Sequence, residues 1–98
     1  MQIVENWAYL IGVIMSVLPS PQMADFYEVH IRLEASEKVV DFPMLVQGAP
    51  GDEIVILART GQISAPDAAA GKAFAARVRA AGPQPLTYYV APDWRLGG

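Results

Sequence analysis

The sequence predicts a mainly β fold with one helix, in which five strands close into a small antiparallel barrel and the helix, over about 65–81, precedes the last strand. Three observations carry this expectation. Residues 25–35, DFYEVHIRLEA, alternate, with Tyr27, Val29, Ile31 and Leu33 on one face and Glu28, His30, Arg32 and Glu34 on the other. A period of two marks a half-buried strand with one face in a core and one in water. Further apolar runs of strand length recur between clusters of Gly and Pro, the spacing of a small all-β unit. The segment DAAAGKAFAARVRAA, by contrast, is dominated by alanine, the strongest helix former.

Each element can be justified in order. A first strand over 3–18 sets Trp7, Tyr9, Ile11, Val13, Met15 and Val17 against Ala8, Leu10, Gly12, Ile14, Ser16 and Leu18. Both rows are apolar, so this strand is expected to be buried on two sides or paired across an interface. Gly12 in its middle indicates a bulge or sharp bend. The apolar run from Trp7 to Leu18 is shorter than the roughly 20 residues a membrane-spanning helix needs. Its flank carries Glu5 and no Lys or Arg, unlike the basic start of a signal peptide, and no membrane partner is expected.

Pro19 and Pro21 place a loop over 19–24, because proline cannot join a central ladder. The second strand follows at 25–35, with Glu37 and Lys38 in a turn. A third strand is expected over 39–47, with Pro43 at an edge or bulge. Gly48, Pro50, Gly51 and Asp52 form a dense turn signal before a fourth strand, EIVILART, at 53–60. Ser64 and Asp67 have the S-x-x-D spacing that caps a helix, and Phe74 and Val78 stand i,i+4 on one stripe. Arg77 and Arg79 would then lie near the helix C-terminus, before Gly82 and Pro83 stop it. The last strand, LTYYVA, spans 86–91, and a short tail follows.

Length and composition bound the function. Ninety-eight residues form one domain over 1–98. The chain contains no Cys, which excludes disulfides, thiolate zinc sites and cysteine nucleophiles and accords with a cytoplasmic location. Fifty-three per cent of the residues are hydrophobic, a high share for so small a domain, and a homodimer or another protein partner is expected to cover part of that surface. The net charge of −3 is unevenly spread. Residues 1–53 hold eight acids against Arg32 and Lys38, whereas 54–98 hold five basic residues against Asp67 and Asp93. Such polarity presents an electropositive side on an acidic protein, or supports self-association.

The run Asn6-Trp-Ala-Tyr-Leu-Ile-Gly-Val-Ile14 resembles the first strand of bacterial single-stranded DNA-binding and primosomal replication proteins. There an Asn-led apolar strand with a central Gly is followed by a proline-containing loop and an alternating strand, the place of FYEVHIRLEA here. GDEIVILARTGQI is similar to their later GD-x-V-x-V-x-G strand. The resemblance covers about 60 residues and implies an oligonucleotide/oligosaccharide-binding (OB) barrel. The usual OB helix lies between strands three and four, whereas the helix expected here follows strand four.

That resemblance implies binding of single-stranded nucleic acid, with aromatic rings stacking on bases and basic side chains following the phosphates. The candidate residues are Trp7, Tyr9, Phe26, His30, Arg32, Arg59, Tyr88 and Trp94. An acidic chain is poorly suited to tight phosphate binding, so a protein-interaction, oligomerisation or accessory regulatory module is the alternative, with Trp7, Tyr9 and Met15 between chains. A remoter alternative is a ubiquitin-like carrier, suggested by the terminal Gly97-Gly98. No catalysis, metal or cofactor is expected. His30, the only histidine, has Glu28 and Arg32 as same-face neighbours but no third ligand at informative spacing and no nucleophile to activate.

Overall fold

Period-two patterning is realised over most of the chain. In a computed structural model, which describes residues 5–82 and 85–97, the strands are β1 (Ala8–Pro19), β2 (Phe26–Lys38), β3 (Glu53–Arg59), β4 (Ala73–Ala81) and β5 (Thr87–Val90). They close into a barrel in the order β1-β2-β3-β5-β4, with β4 returning to β1. All neighbours are antiparallel except β3 and β5, which run parallel and meet at one residue pair, Leu57 with Tyr89.

The barrel interior is filled by alternate residues from each wall. Leu10 and Ile14 come from β1, Val29, Ile31 and Leu33 from β2, Ile56 from β3, and Phe74 and Val78 from β4. Each such side chain withdrawn from water contributes about 1.5–3 kcal/mol. In β2 the expected inward set holds: Val29, Ile31 and Leu33 are buried and Tyr27 packs against them. The strand continues to Lys38, through the residues expected to turn.

β1 bends where Gly12 suggested. The β1–β2 register slips between Ile11 and Gly12, where β2 accommodates Glu34 as an extra residue, and again between Ile14 and Ser16. A Cβ on Gly12 would run into the Arg32 carbonyl oxygen. Asn6 extends the β1–β4 ladder by its side chain. Its Nδ2 donates to the Ala80 carbonyl (2.9 Å) and its Oδ1 accepts from the Ala80 N–H (2.8 Å).

Two expectations are overturned. Residues 65–81 contain no α-helix, and among the described residues the helical segments are the two 3-10 turns Thr60–Gln62 and Pro66–Ala68. The alanine-rich stretch is instead β4, with Phe74, Ala76, Val78 and Ala80 buried and Ala73, Ala75, Arg77 and Arg79 exposed. The i,i+4 spacing of Phe74 and Val78 satisfies a period of two as well as one of 3.6. Burial between β1 and β5 overrides the weak intrinsic preference of alanine. Ser64 caps nothing, and its Oγ donates to the Leu96 carbonyl (3.3 Å).

The strand expected over 39–47 is likewise absent. Residues 39–52 form a connection that folds Val46 and Met44 against the core. The segment is apolar because it plugs the barrel, not because it joins the sheet. Gly51, at φ 97°, turns the chain into β3, its N–H donating to the Leu33 carbonyl at 2.7 Å. Residues 3 and 4 of the expected first strand, Pro83 and Gly98 lie outside the described residues. No helix among the described residues is long and apolar enough to cross a membrane.

Candidate nucleic-acid interface

The outer wall is where function can be written, since alternate residues of every strand project there. On β3, Ile54, Ile56 and Ala58 turn inward, which sends Leu57 and Arg59 outward. On β5, Tyr88 and Val90 pack against the core and Tyr89 faces out. Phe26 stands opposite Arg59 across the β2–β3 ladder, and Arg79 stands opposite Tyr89 across β4–β5. Because β3 and β5 adjoin through Leu57 and Tyr89, these residues form one continuous band.

That band is a groove of about 610 Å³, lined by Trp7, Phe26, Leu57, Arg59, Arg79 and Tyr89 among others. Three guanidinium groups lie over the three rings that line it, two of them, Arg59 and Arg79, from within the groove and Arg77 from outside it, where it also pairs with Asp93 at 3.7 Å. Arg59 Cζ is 5.0 Å from the Phe26 centroid, Arg77 Cζ 5.0 Å from that of Trp7, and Arg79 Cζ 6.0 Å from that of Tyr89. Each contact is worth about 0.5–1 kcal/mol at an exposed site. Phe26 and Tyr89 meet edge to face, with centroids 6.1 Å apart and an interplanar angle of 74°. Beside this groove lies a second hollow of about 330 Å³, shared through Arg59, Gln62 and Pro92 and extended by Asp25, Thr60 and Arg95.

Gln62 fixes the junction of the two hollows. Buried, it accepts the Arg59 N–H at 2.8 Å and donates to the carbonyls of Ala91 and Trp94, both at 2.9 Å. It therefore holds the end of β3 against the segment that follows β5. Met23, from the β1–β2 loop, closes one end of the groove and receives the Tyr89 hydroxyl at 3.8 Å on its sulfur.

The residues singled out from sequence divide between this groove and other places. Trp7, Phe26 and Arg59 converge in it. Tyr9 lies in a shallower groove beside Arg77, Asp93 and Trp94. Trp94 tilts against Phe74 with centroids 5.2 Å apart and seals one end of the barrel. Tyr88 faces the core, and its hydroxyl oxygen accepts the Gln47 N–H at 3.4 Å. His30 stands between two carboxylates, with Nε2 3.4 Å from Glu28 Oε1 and Nδ1 3.8 Å from Glu53 Oε1. Arg32 is exposed beside Met15, its Nη1 3.9 Å from the sulfur.

Sequence reasoning missed Arg79, Tyr89 and Gln62. Arg79 was assigned to a helix, although the alternation of FAARVRA placed Arg77 and Arg79 on one face of a strand. For Tyr89 the period was visible and its phase was not.

The fold defines a class: a five-stranded closed β-barrel, compatible with an OB-like fold. No family model, curated protein or solved structure matches the chain.

Proposed function

We propose that the protein is a non-catalytic binding module for single-stranded nucleic acid, an OB-like barrel of the kind that the resemblance to bacterial single-stranded DNA-binding and primosomal proteins implies. The observation that carries this reading is the convergence of Trp7, Phe26 and Tyr89 with Arg59 and Arg79 along one groove, two of those rings lying under these guanidinium groups. Rings offer sequence-tolerant platforms for bases, each worth about 1–3 kcal/mol. Guanidinium groups held over those rings keep positive charge beside the platforms, where a strand's phosphates pass. In OB barrels the β2–β3 face and the β1–β2 and β4–β5 loops form the ligand surface. Here Phe26, Arg59 and Met23 come from the corresponding β2, β3 and β1–β2 positions.

Acidic surroundings restrict the affinity. Glu28 and Glu53 flank His30 further along β2 and β3, so a phosphate track does not extend along that part of the wall. The ligand is a short stretch of single strand held by few phosphate contacts.

Anisotropy titration of a labelled oligothymidylate tests the reading. With two or three phosphates engaged, log K falls against log salt with a slope of about −1.4 to −2.1. Tyr89→Ala and Arg59→Ala each weaken binding by at least about fivefold, from loss of a stacking platform or a phosphate partner. No binding at low salt, or equal binding by both variants and the parent, sinks it.

A further inference from the structure

The second hollow differs in chemistry from the aromatic groove beside it. Among the described residues no acid lines the groove, whereas the hollow sets the Asp25 carboxylate beside the guanidinium groups of Arg59 and Arg95 and the Thr60 hydroxyl. Among the described residues that carboxylate has no ion-pair or hydrogen-bond partner, although two cations share its hollow. Arg95 is anchored, its Nη1 donating to the Pro92 and Trp94 carbonyls at 2.7 and 2.9 Å, and a guanidinium has further N–H groups to offer a ligand. Asp25 is placed by its backbone. Its carbonyl accepts the Thr60 N–H at 2.9 Å, and its φ of 69° is left-handed. Glycine would satisfy this turn with less strain, yet the position carries a negative charge.

A carboxylate in a phosphate-binding wall repels the ligand unless the ligand brings it a donor. With the bases stacked in the groove, the sugar–phosphate chain supplies a donor only as a free hydroxyl. Two guanidinium groups match the two phosphates that flank one internal sugar. The free hydroxyl of an internal sugar is the 2′-OH of ribose, the group that tells RNA from DNA.

We infer that the second hollow takes the sugar and flanking phosphates of one ribonucleotide, Asp25 accepting its 2′-OH while Arg59, Arg95 and Thr60 hold the phosphates, so that the module prefers RNA to DNA. The inference rests on the single-strand binding reading and adds to it the identity of the sugar. Hydrogen bonds to an ionised acceptor are among the strong ones. The hollow, at about 330 Å³, lies at the lower end of the roughly 300–1,000 Å³ of small-ligand sites. It shares Arg59, Gln62 and Pro92 with the groove, so a base on Phe26 and a sugar in the hollow belong to adjoining parts of one strand.

Anisotropy titration with oligouridylate, oligodeoxyuridylate and 2′-O-methyl oligouridylate of equal length reads the result, since the three differ only at the 2′ position. The parent is expected to bind oligouridylate at least about fivefold more tightly than either of the others, the worth of one hydrogen bond to a charged group at a solvated site. Asp25→Gly keeps the left-handed turn and removes the carboxylate, and circular dichroism checks that it is folded. This variant is expected to tighten on oligodeoxyuridylate and to bring the ribose and deoxyribose oligomers within about twofold of each other, because repulsion and discrimination leave together. Equal binding of these two by the parent, or a preference that Asp25→Gly retains, overturns the inference and leaves the binding reading standing. A parent that binds none of the oligomers overturns both. Weaker binding of oligodeoxyuridylate when its 3′ end carries a phosphate puts a chain end in the hollow, and overturns the assignment to an internal ribonucleotide.

Discussion

Replacing Asn6 by Ala tests whether the barrel depends on a side chain to finish its β1–β4 ladder. The Asn6 amide is 2% exposed and makes reciprocal bonds to the Ala80 N–H and carbonyl, at 2.8 and 2.9 Å. Without it, two buried backbone groups lose these partners at once. Each such group costs about 1–3 kcal/mol when left unsatisfied, so Asn6→Ala is expected to lose about 2–6 kcal/mol. That is a large share of the roughly 5–15 kcal/mol that holds a domain folded. The assay is equilibrium urea unfolding, with the difference taken at matched denaturant slope. Asn6→Asp adds a sharper test. Its carboxylate still accepts from the Ala80 N–H but faces the Ala80 carbonyl with lone pairs, whereas the protonated acid donates to it. Folding thus favours the protonated form, so this variant's deficit relative to the parent is smallest at acidic pH and grows as the carboxyl ionises. A loss below about 1 kcal/mol for Asn6→Ala, or a deficit in Asn6→Asp that shrinks as pH rises, would refute the reasoning.

Other outcomes follow from the same geometry. Gly12→Ala pushes a methyl group into the Arg32 carbonyl oxygen and should cost about 1–3 kcal/mol in urea unfolding. Gln62→Ala strips the Arg59 N–H and two carbonyls of a partner; it should lower the melting temperature and speed amide exchange near Leu57 and Tyr89 before it affects β1. His30→Gln and Arg32→Ala, at positions away from the groove, should leave oligonucleotide anisotropy within twofold of the parent, where Tyr89→Ala does not.

What could be read in the sequence follows from how strongly each pattern discriminates. β2 alternates polar with apolar residues and admits one phase, so its inward and outward sets were legible. Gly12 announced its bulge because only a residue without a Cβ fits against Arg32. The expectation of five strands was met through two compensating errors. Residues 39–47 were counted as a strand and 73–81 were not. In the first case the apolar run plugs the barrel through Met44 and Val46, which no local periodicity reports. In the second, alanine looks alike on the buried and exposed faces of β4. Only Phe74, Arg77, Val78 and Arg79 carried the phase. The candidate site was legible in proportion: Trp7, Phe26 and Arg59 were found, and Arg79 was hidden by the helix assignment. Tyr9, Tyr88 and Trp94 showed that aromatic content alone does not separate a platform from a wall.

The barrel is sealed unevenly. Along most of its circumference strands share many rungs, but β3 and β5 share one, at Leu57 and Tyr89. Beyond that rung the closure passes to the Gln62 side chain and to a bridge between Ile63 and Leu96. The aromatic groove lies directly over this zip. Thermal opening of the cylinder therefore begins under the groove, where the fewest rungs must break. A ligand seated there acts as a rivet across the two lips, so occupancy registers as slower amide exchange along the zip and as added resistance of the whole cylinder to unfolding.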